Sequence, residues 1–235
     1  MKKKKSIKNS LINLFLFLML LVGLALVFNE PIKTFLLKQR SNQYRVSDIT
    51  KDQIAENKKK ETTFDFDAVE AADLESVLRG TFSDEDLYVL GGIAIPSVSI
   101  NLPIYKGLSD AAITFGAGTM TPEQEIGEGN YSLASHHMIN PEILFGPLVN
   151  IQLGAPMYLT DLEYIYEYTV TYKEYVAPTR VDLLDIVPDK TLLTLITCDY
   201  TGANRLAVQG ELAKKTPIKE ASPEIADAFG LSINR

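Results

Sequence analysis

The run Leu11–Phe28, LINLFLFLMLLVGLALVF, restricts this chain more than any other feature: it holds one polar residue, Asn13, and no charge. About 18 consecutive apolar residues suffice for a helix to cross a bilayer. A cleaved signal peptide would have a shorter apolar stretch, about 7–15 residues, and then a small-x-small site. Here the run ends Val27-Phe28-Asn29-Glu30-Pro31, with no such site and no cysteine for lipid attachment. An uncleaved, single-pass anchor is therefore expected. Lys2, Lys3, Lys4, Lys5 and Lys8 precede it without any acid, whereas Lys33, Lys38, Arg40 and Arg45 come after it together with Glu30. That bias, though narrow, sets the N-terminus in the cytoplasm and the remaining chain outside.

The chain beyond the anchor must fold by packing alone. It belongs to a sequence of 235 residues, 46% of them hydrophobic, with a single cysteine. That is enough for one domain with a core, and it excludes an internal disulfide. A lone thiol in an oxidising compartment is a liability unless it has a use. The formal net charge of -7 argues against nucleic acid as a partner, since phosphate binding needs clustered Lys and Arg.

Residues 1–10 read as a basic cytoplasmic tail, 11–28 as the anchor and 29–66 as a polar, Lys-rich stalk. Asp67–Arg79 has helical spacing and is expected to stop at Gly80. From Leu87 the pattern changes to short apolar segments separated by turn residues. Tyr131–Ser135, Pro156–Thr160, Tyr164–Val176, Thr191–Cys198 and Arg205–Leu212 are the clearest strands. The fold expected for residues 67–213 is all-β: a closed barrel of about eight strands with short helices, behind an N-terminal transmembrane helix. Residues 214–235 read as a polar, peripheral tail.

Few side chains could do chemistry. There is one cysteine, Cys198, and there are two adjacent histidines, His136 and His137; no CxxC, HExxH or EF-hand spacing occurs. A thiolate can attack a carbonyl carbon while an imidazole manages the protons. A strand cysteine alone suits a core as well as a catalytic site. The hairpin after it adds information. If Tyr200–Ala203 form the turn, Asp199 pairs with Asn204 and Cys198 lies directly opposite Arg205. A guanidinium, charged at any working pH, would stand beside the only thiol and could stabilise an oxyanion.

These segments resemble the signature of the sortases, most closely the class A, housekeeping type. TLITC at Thr194–Cys198 is similar to that family's cysteine motif, SLASHH at Ser132–His137 to its histidine motif, and Arg205 to its arginine. The resemblance covers roughly residues 80–213, including GAGTM at Gly116–Met120. It implies a membrane-anchored transpeptidase. Cys198 would attack the Thr–Gly bond of a Leu-Pro-x-Thr-Gly sorting signal on a surface protein, forming a thioester. An amine of a lipid-linked peptidoglycan precursor would resolve it. His136, rather than His137, would exchange the protons, as an imidazolium facing a thiolate, and Arg205 would hold substrate or oxyanion. The resemblance also implies that Ala134 and Ile196 line the groove, that Val181 and Leu183 form a leucine pocket, and that Thr197 contributes a hydroxyl. Some relatives bind calcium, but Ile186 falls at one of their ligand positions and an apolar side chain cannot coordinate it. No metal or other cofactor is expected. Three other readings remain open: a non-catalytic tethered barrel that binds peptide or wall polymer, a hydrolytic cysteine protease, and a pilus-polymerising sortase.

Overall fold

The computed structural model describes residues 2–65, 74–82, 86–199 and 201–231. Eight strands form the barrel: β1 (Val89–Ile95), β2 (Ile100–Tyr105), β3 (Ala117–Thr119), β4 (Asn130–Ala134), β5 (Pro156–Thr160), β6 (Tyr164–Val176), β7 (Leu192–Cys198) and β8 (Arg205–Pro217). They close in the order β1-β2-β3-β4-β7-β8-β6-β5. Two neighbouring pairs are parallel, β2 with β3 and β4 with β7; the others are antiparallel.

The position of β7 explains its composition. It is hydrogen-bonded on both edges, to β4 and to β8, and every residue from Leu192 to Thr197 is buried. A strand covered on both faces reads as a continuous apolar run rather than an alternation. β6 instead alternates buried and half-buried residues from Tyr166 to Val170. The two faces of the β4-β7-β8 sheet have separate duties. Leu133, Leu195 and Val208 join the main core, whereas Ala134, Ile196 and Ala207, one residue on or before, belong to smaller apolar clusters outside it.

Helix α1 (Lys2–Val27) contains a stretch, Asn9–Val27, of 19 residues with mean hydropathy 2.7, none of it buried. It is long and apolar enough to cross a membrane. Helix α2 (Asn29–Gln43) continues from it almost without a break, because Phe28 N donates to Leu24 O and Ile32 N to Phe28 O.

The segment expected as a stalk packs on the barrel. Leu37 is buried in the main core, Val46 against Ala94 and Ile165, and Ile54 of α3 (Lys51–Asn57) is 4% exposed. These residues lie among polar neighbours, so the composition reads as a linker while spaced apolar positions do the anchoring. Of the helix expected at 67–79, residues 67–73 lie outside the described residues. Its described part, α4 (Leu74–Phe82), continues through Gly80, which packs against the Phe115 ring. The tail is not peripheral. β8 runs on to Pro217, and α6 (Pro223–Ala228), started by the Ser222 side-chain cap, brings Phe229 into the cluster around Val46.

Candidate active site

Cys198 is the last residue of β7, half-buried and reduced. Its antiparallel partner is Arg205, the first residue of β8, and no bulge interrupts the register between β7 and β8. The hairpin expected from the sequence is therefore present. Asp199 organises its turn. Its backbone N donates to Asn204 O at 3.0 Å, and its carboxylate accepts from the backbone N–H groups of Thr201 and Asn204 and from their side chains. Burial opposes ionisation of this carboxyl, but the hydrogen bonds from Thr201 and Asn204 prevail and hold it below the usual carboxylate range. Gly202 takes the left-handed conformation the turn needs, with φ +76. Arg205 Nη1 in turn donates to Gly202 O at 3.0 Å and to Asn204 O at 3.2 Å, so the turn fixes the guanidinium.

On the other edge of β7, β4 runs parallel, with Ala134 opposite Ile196. Two further hydrogen bonds carry this register past the end of β4: Ser135 N to Ile196 O at 3.2 Å and Thr197 Oγ1 to Ser135 O at 2.8 Å. The next position beside β7 is that of His136, next to Cys198. Continued two residues past its last pair, the same register sets His136 opposite Cys198, whose partner on the other edge is Arg205. Ala134, Ile196 and Ala207 form the row two residues behind, so the three functional groups share the outer face. His137 is one residue out of step with this row.

His136 is held at both backbone groups, its N donating to Ile113 O and its O accepting from Phe145 N. Ser135 secures the same corner, its Oγ donating to Gly116 O at 2.6 Å. The residue as a whole keeps some exposure, but Nε2 is sealed from solvent and finds no hydrogen-bond partner among the described residues. Burial disfavours the charged ring and lowers its pKa to about 4, with Asp110 at the start of α5 (Asp110–Phe115) opposing weakly. The substrate-free site therefore holds a neutral imidazole at pH 7.

A groove of about 300 Å³ opens beside Arg205 and Ile196. Val181 lines it and is 66% exposed there. Ala134 is buried with Leu108 and Ile113 just behind it. Two expectations shift. Leu184 rather than Leu183 lines the groove; both pack against the cluster with Ile196, and the Leu183 carbonyl accepts from Asn130 and Gln209. Thr197 is 2% exposed and spends its hydroxyl on Ser135 O, so it joins the two strands rather than facing the groove. Met120, Val176, Phe64 and Asp65 also line the groove and were missed. Alternation along β6 could have placed Val176, but the others reach the site through loops.

A closed barrel that sets its one cysteine opposite Arg205, beside a groove lined by Ile196 and Arg205, suits a cysteine enzyme. Comparison with known proteins is more specific. The Sortase domain family model matches residues 93–213. The chain is 42% identical over 224 residues to Sortase A of Streptococcus agalactiae, covering 93% of this chain and 91% of that relative. It is 41% identical over 204 residues to Sortase A of Listeria monocytogenes, covering 84% and 89%. The crystal structure of Listeria monocytogenes sortase A superposes with a TM-score of 0.56 at 40% identity, over 61% of this chain and 98% of that one. The chain belongs to the sortase family, and within it to class A. It is a cysteine transpeptidase that joins surface proteins bearing a sorting signal to the cell wall. Family membership and the exposed apolar helix fit a membrane-anchored protein.

Proposed function

We propose that Cys198 is the nucleophile, His136 the proton carrier and Arg205 the oxyanion partner in cleavage of the Thr–Gly bond of Leu-Pro-x-Thr-Gly signals. What supports this is the Cys198–Arg205 strand pair, the β4–β7 register that continues through Ser135 toward His136, and the groove lined by Ile196 and Arg205. The neutral His136 takes the thiol proton as Sγ attacks the Thr carbonyl carbon. Arg205 faces the negative charge that develops on the carbonyl oxygen. The imidazolium then gives its proton to the leaving Gly amine as the C–N bond breaks, which leaves a thioester on Cys198. An amine of a lipid-linked peptidoglycan precursor attacks this thioester, loses a proton to His136, and forms the new amide. Sγ leaves and recovers that proton.

The helix α1 would hold the N-terminus in the cytoplasm and the barrel outside, next to a lipid-linked acceptor; the lysines before the apolar run support this orientation. No calcium requirement is proposed. Ile186 is apolar and packs beside Gly129, and the carboxylate of Glu125 is paired with Lys58. A several-fold rise in turnover on adding calcium overturns that point.

The test uses the full chain in detergent micelles with a quenched Leu-Pro-x-Thr-Gly peptide, with and without an oligoglycine or dialanine amine. Cleavage is expected, with product mass shifted by the added amine. Cys198→Ala and His136→Ala should be inactive. Activity surviving Cys198→Ala overturns the mechanism, and product that is always the free acid favours a hydrolase.

A further inference from the structure

The apolar stretch Asn9–Val27 does not end in a loose linker. The helix continues through Phe28 into α2, and α2 is clamped to the barrel: Lys33 is buried and Leu37 joins the main core. At about 1.5 Å per residue, the 19-residue stretch is about 28 Å long, close to the ~30 Å of a bilayer's hydrocarbon core. The headgroup layer adds about 5–8 Å on each side. A span seated in that core puts Ile32 within this layer and Thr34 near its outer edge, about 10 Å past Val27. Phe28, Ile32 and Phe35 are exposed apolar side chains along this length. The loop after His136 reaches the same level. Asn140 Nδ2 donates to Thr34 Oγ1 at 3.4 Å, and Ile143 and Leu144 share the main core with Leu37. Leu37 and Lys38 of α2 and Glu142, Ile143 and Leu144 of the loop line one hollow of about 140 Å³, so the loop lies along the helix. Ile139, next to Asn140, is apolar and yet 66% exposed.

We propose that residues 138–140 and the exposed edge of α2 rest on the headgroup layer of the bilayer that holds α1, so that the barrel sits against the membrane at a fixed height. This rests on α1 being the anchor described under Proposed function. The occupant of the face follows from continuity: Phe28, Ile32, Phe35 and Ile139 extend the apolar surface of the span onto the barrel. Apolar side chains at the headgroup–acyl boundary gain by leaving water. Glu142, which anionic lipids would repel, stands beside Lys38, about one helical turn farther from the span than Thr34. His136 precedes Ile139 by three residues, so at most about 11 Å of chain separates them. The docked face therefore brings the histidine corner to the membrane surface, where a lipid-linked acceptor would be held.

The chain contains no tryptophan, so a single substitution supplies a unique fluorescent reporter. The full chain is reconstituted into vesicles of phosphatidylcholine and phosphatidylglycerol that carry a nitroxide quencher either on the headgroup or at the middle of the acyl chain. Phe17→Trp, near the centre of the span, should lose emission mainly to the mid-chain nitroxide. Ile139→Trp should lose emission mainly to the headgroup nitroxide. Ile186→Trp is the control: it is 75% exposed but packs beside Gly129, at the end of β4 away from His136, and neither quencher should affect it. Pro141→Trp, at an exposed position of the same loop, repeats the reading should Ile139→Trp fail to fold. Headgroup quenching in this loop no greater than at Ile186→Trp, with Phe17→Trp quenched by the mid-chain nitroxide, overturns this inference alone. Phe17→Trp untouched by either quencher overturns the anchor reading and the inference with it.

Discussion

Thr197 and Ser135 are joined by a 2.8 Å hydrogen bond from the threonine hydroxyl to the serine carbonyl, one residue before both Cys198 and His136. It extends the parallel β4–β7 pairing beyond the last paired residues of the ladder, Ala134 and Ile196. The relative placement of Cys198 and His136 therefore depends on a buried side chain.

Thr197→Val keeps the shape and removes that bond. Stability should fall by about 1 kcal/mol, the net worth of one such hydrogen bond. The kcat should fall by about tenfold or more, because a small displacement of a catalytic pair is costly, while KM stays nearly constant. Urea unfolding and steady-state kinetics on the same preparation check both. A variant with native kcat shows that the remaining Ser135 N to Ile196 O bond is enough to hold the corner.

The neutral His136 links activity to acid stability. Its pKa is lowered from the usual 6.5 to about 4 in the folded protein, so between those values the unfolded chain binds more protons. Stability is then complete above about pH 6.5 and is lost as pH falls toward 4. The expected loss between pH 7 and pH 5 is about 2 kcal/mol from this residue. His136→Asn should lack that part of the pH dependence. Denaturant titrations of both proteins at the two pH values provide the comparison, and parallel behaviour would show that the ring is not buried in solution.

Arg205 can be tested by the shape of its side chain. The turn carbonyls of Gly202 and Asn204 accept from one nitrogen of a planar fork, on the residue that pairs with Cys198 across β7 and β8. Arg205→Ala should reduce kcat by about 10²–10³-fold, typical for loss of an oxyanion donor. Arg205→Lys keeps the charge but cannot serve the turn and the substrate together, so it should recover only a small part of the rate. Asp199→Ala, which loosens the same turn, should give an intermediate loss with the guanidinium still present.

The pairing of Cys198 with Arg205 was legible because it is encoded locally. A tight turn between two short strands pairs Cys198 with Arg205 by counting residues, and no bulge intervenes. The histidine is different. β4 meets β7 in parallel across a long stretch of chain, and no turn sets that register, so the link to His136 came only from the resemblance of SLASHH to a known motif. The closed barrel was readable from the number of short apolar segments. The packing of residues 29–65 was not, because Leu37, Val46 and Ile54 sit in short, scattered apolar spots in a polar, Lys-rich background. Thr197 misled for a further reason: adjacency to the nucleophile suggests a role in the groove, but successive residues of a strand face opposite ways.

A similar one-residue offset affects the loop before β7, where the sequence favoured Leu183 and the structure puts Leu184 at the groove. Leu184→Ala should raise KM for the sorting peptide by about five- to tenfold, because it removes apolar surface that a substrate leucine would cover. The kcat should be little changed, since the row at Cys198 is not touched. Leu183→Ala should do the reverse. Its side chain packs beside Val176, Ile196 and Ala207, so truncation should cost about 2 kcal/mol of stability. Its carbonyl, which accepts from Asn130 and Gln209, remains in place, so KM should change less than about twofold. Kinetics and urea unfolding of the two variants separate the roles, and a KM effect larger at Leu183 than at Leu184 would return the pocket to the position read from the sequence.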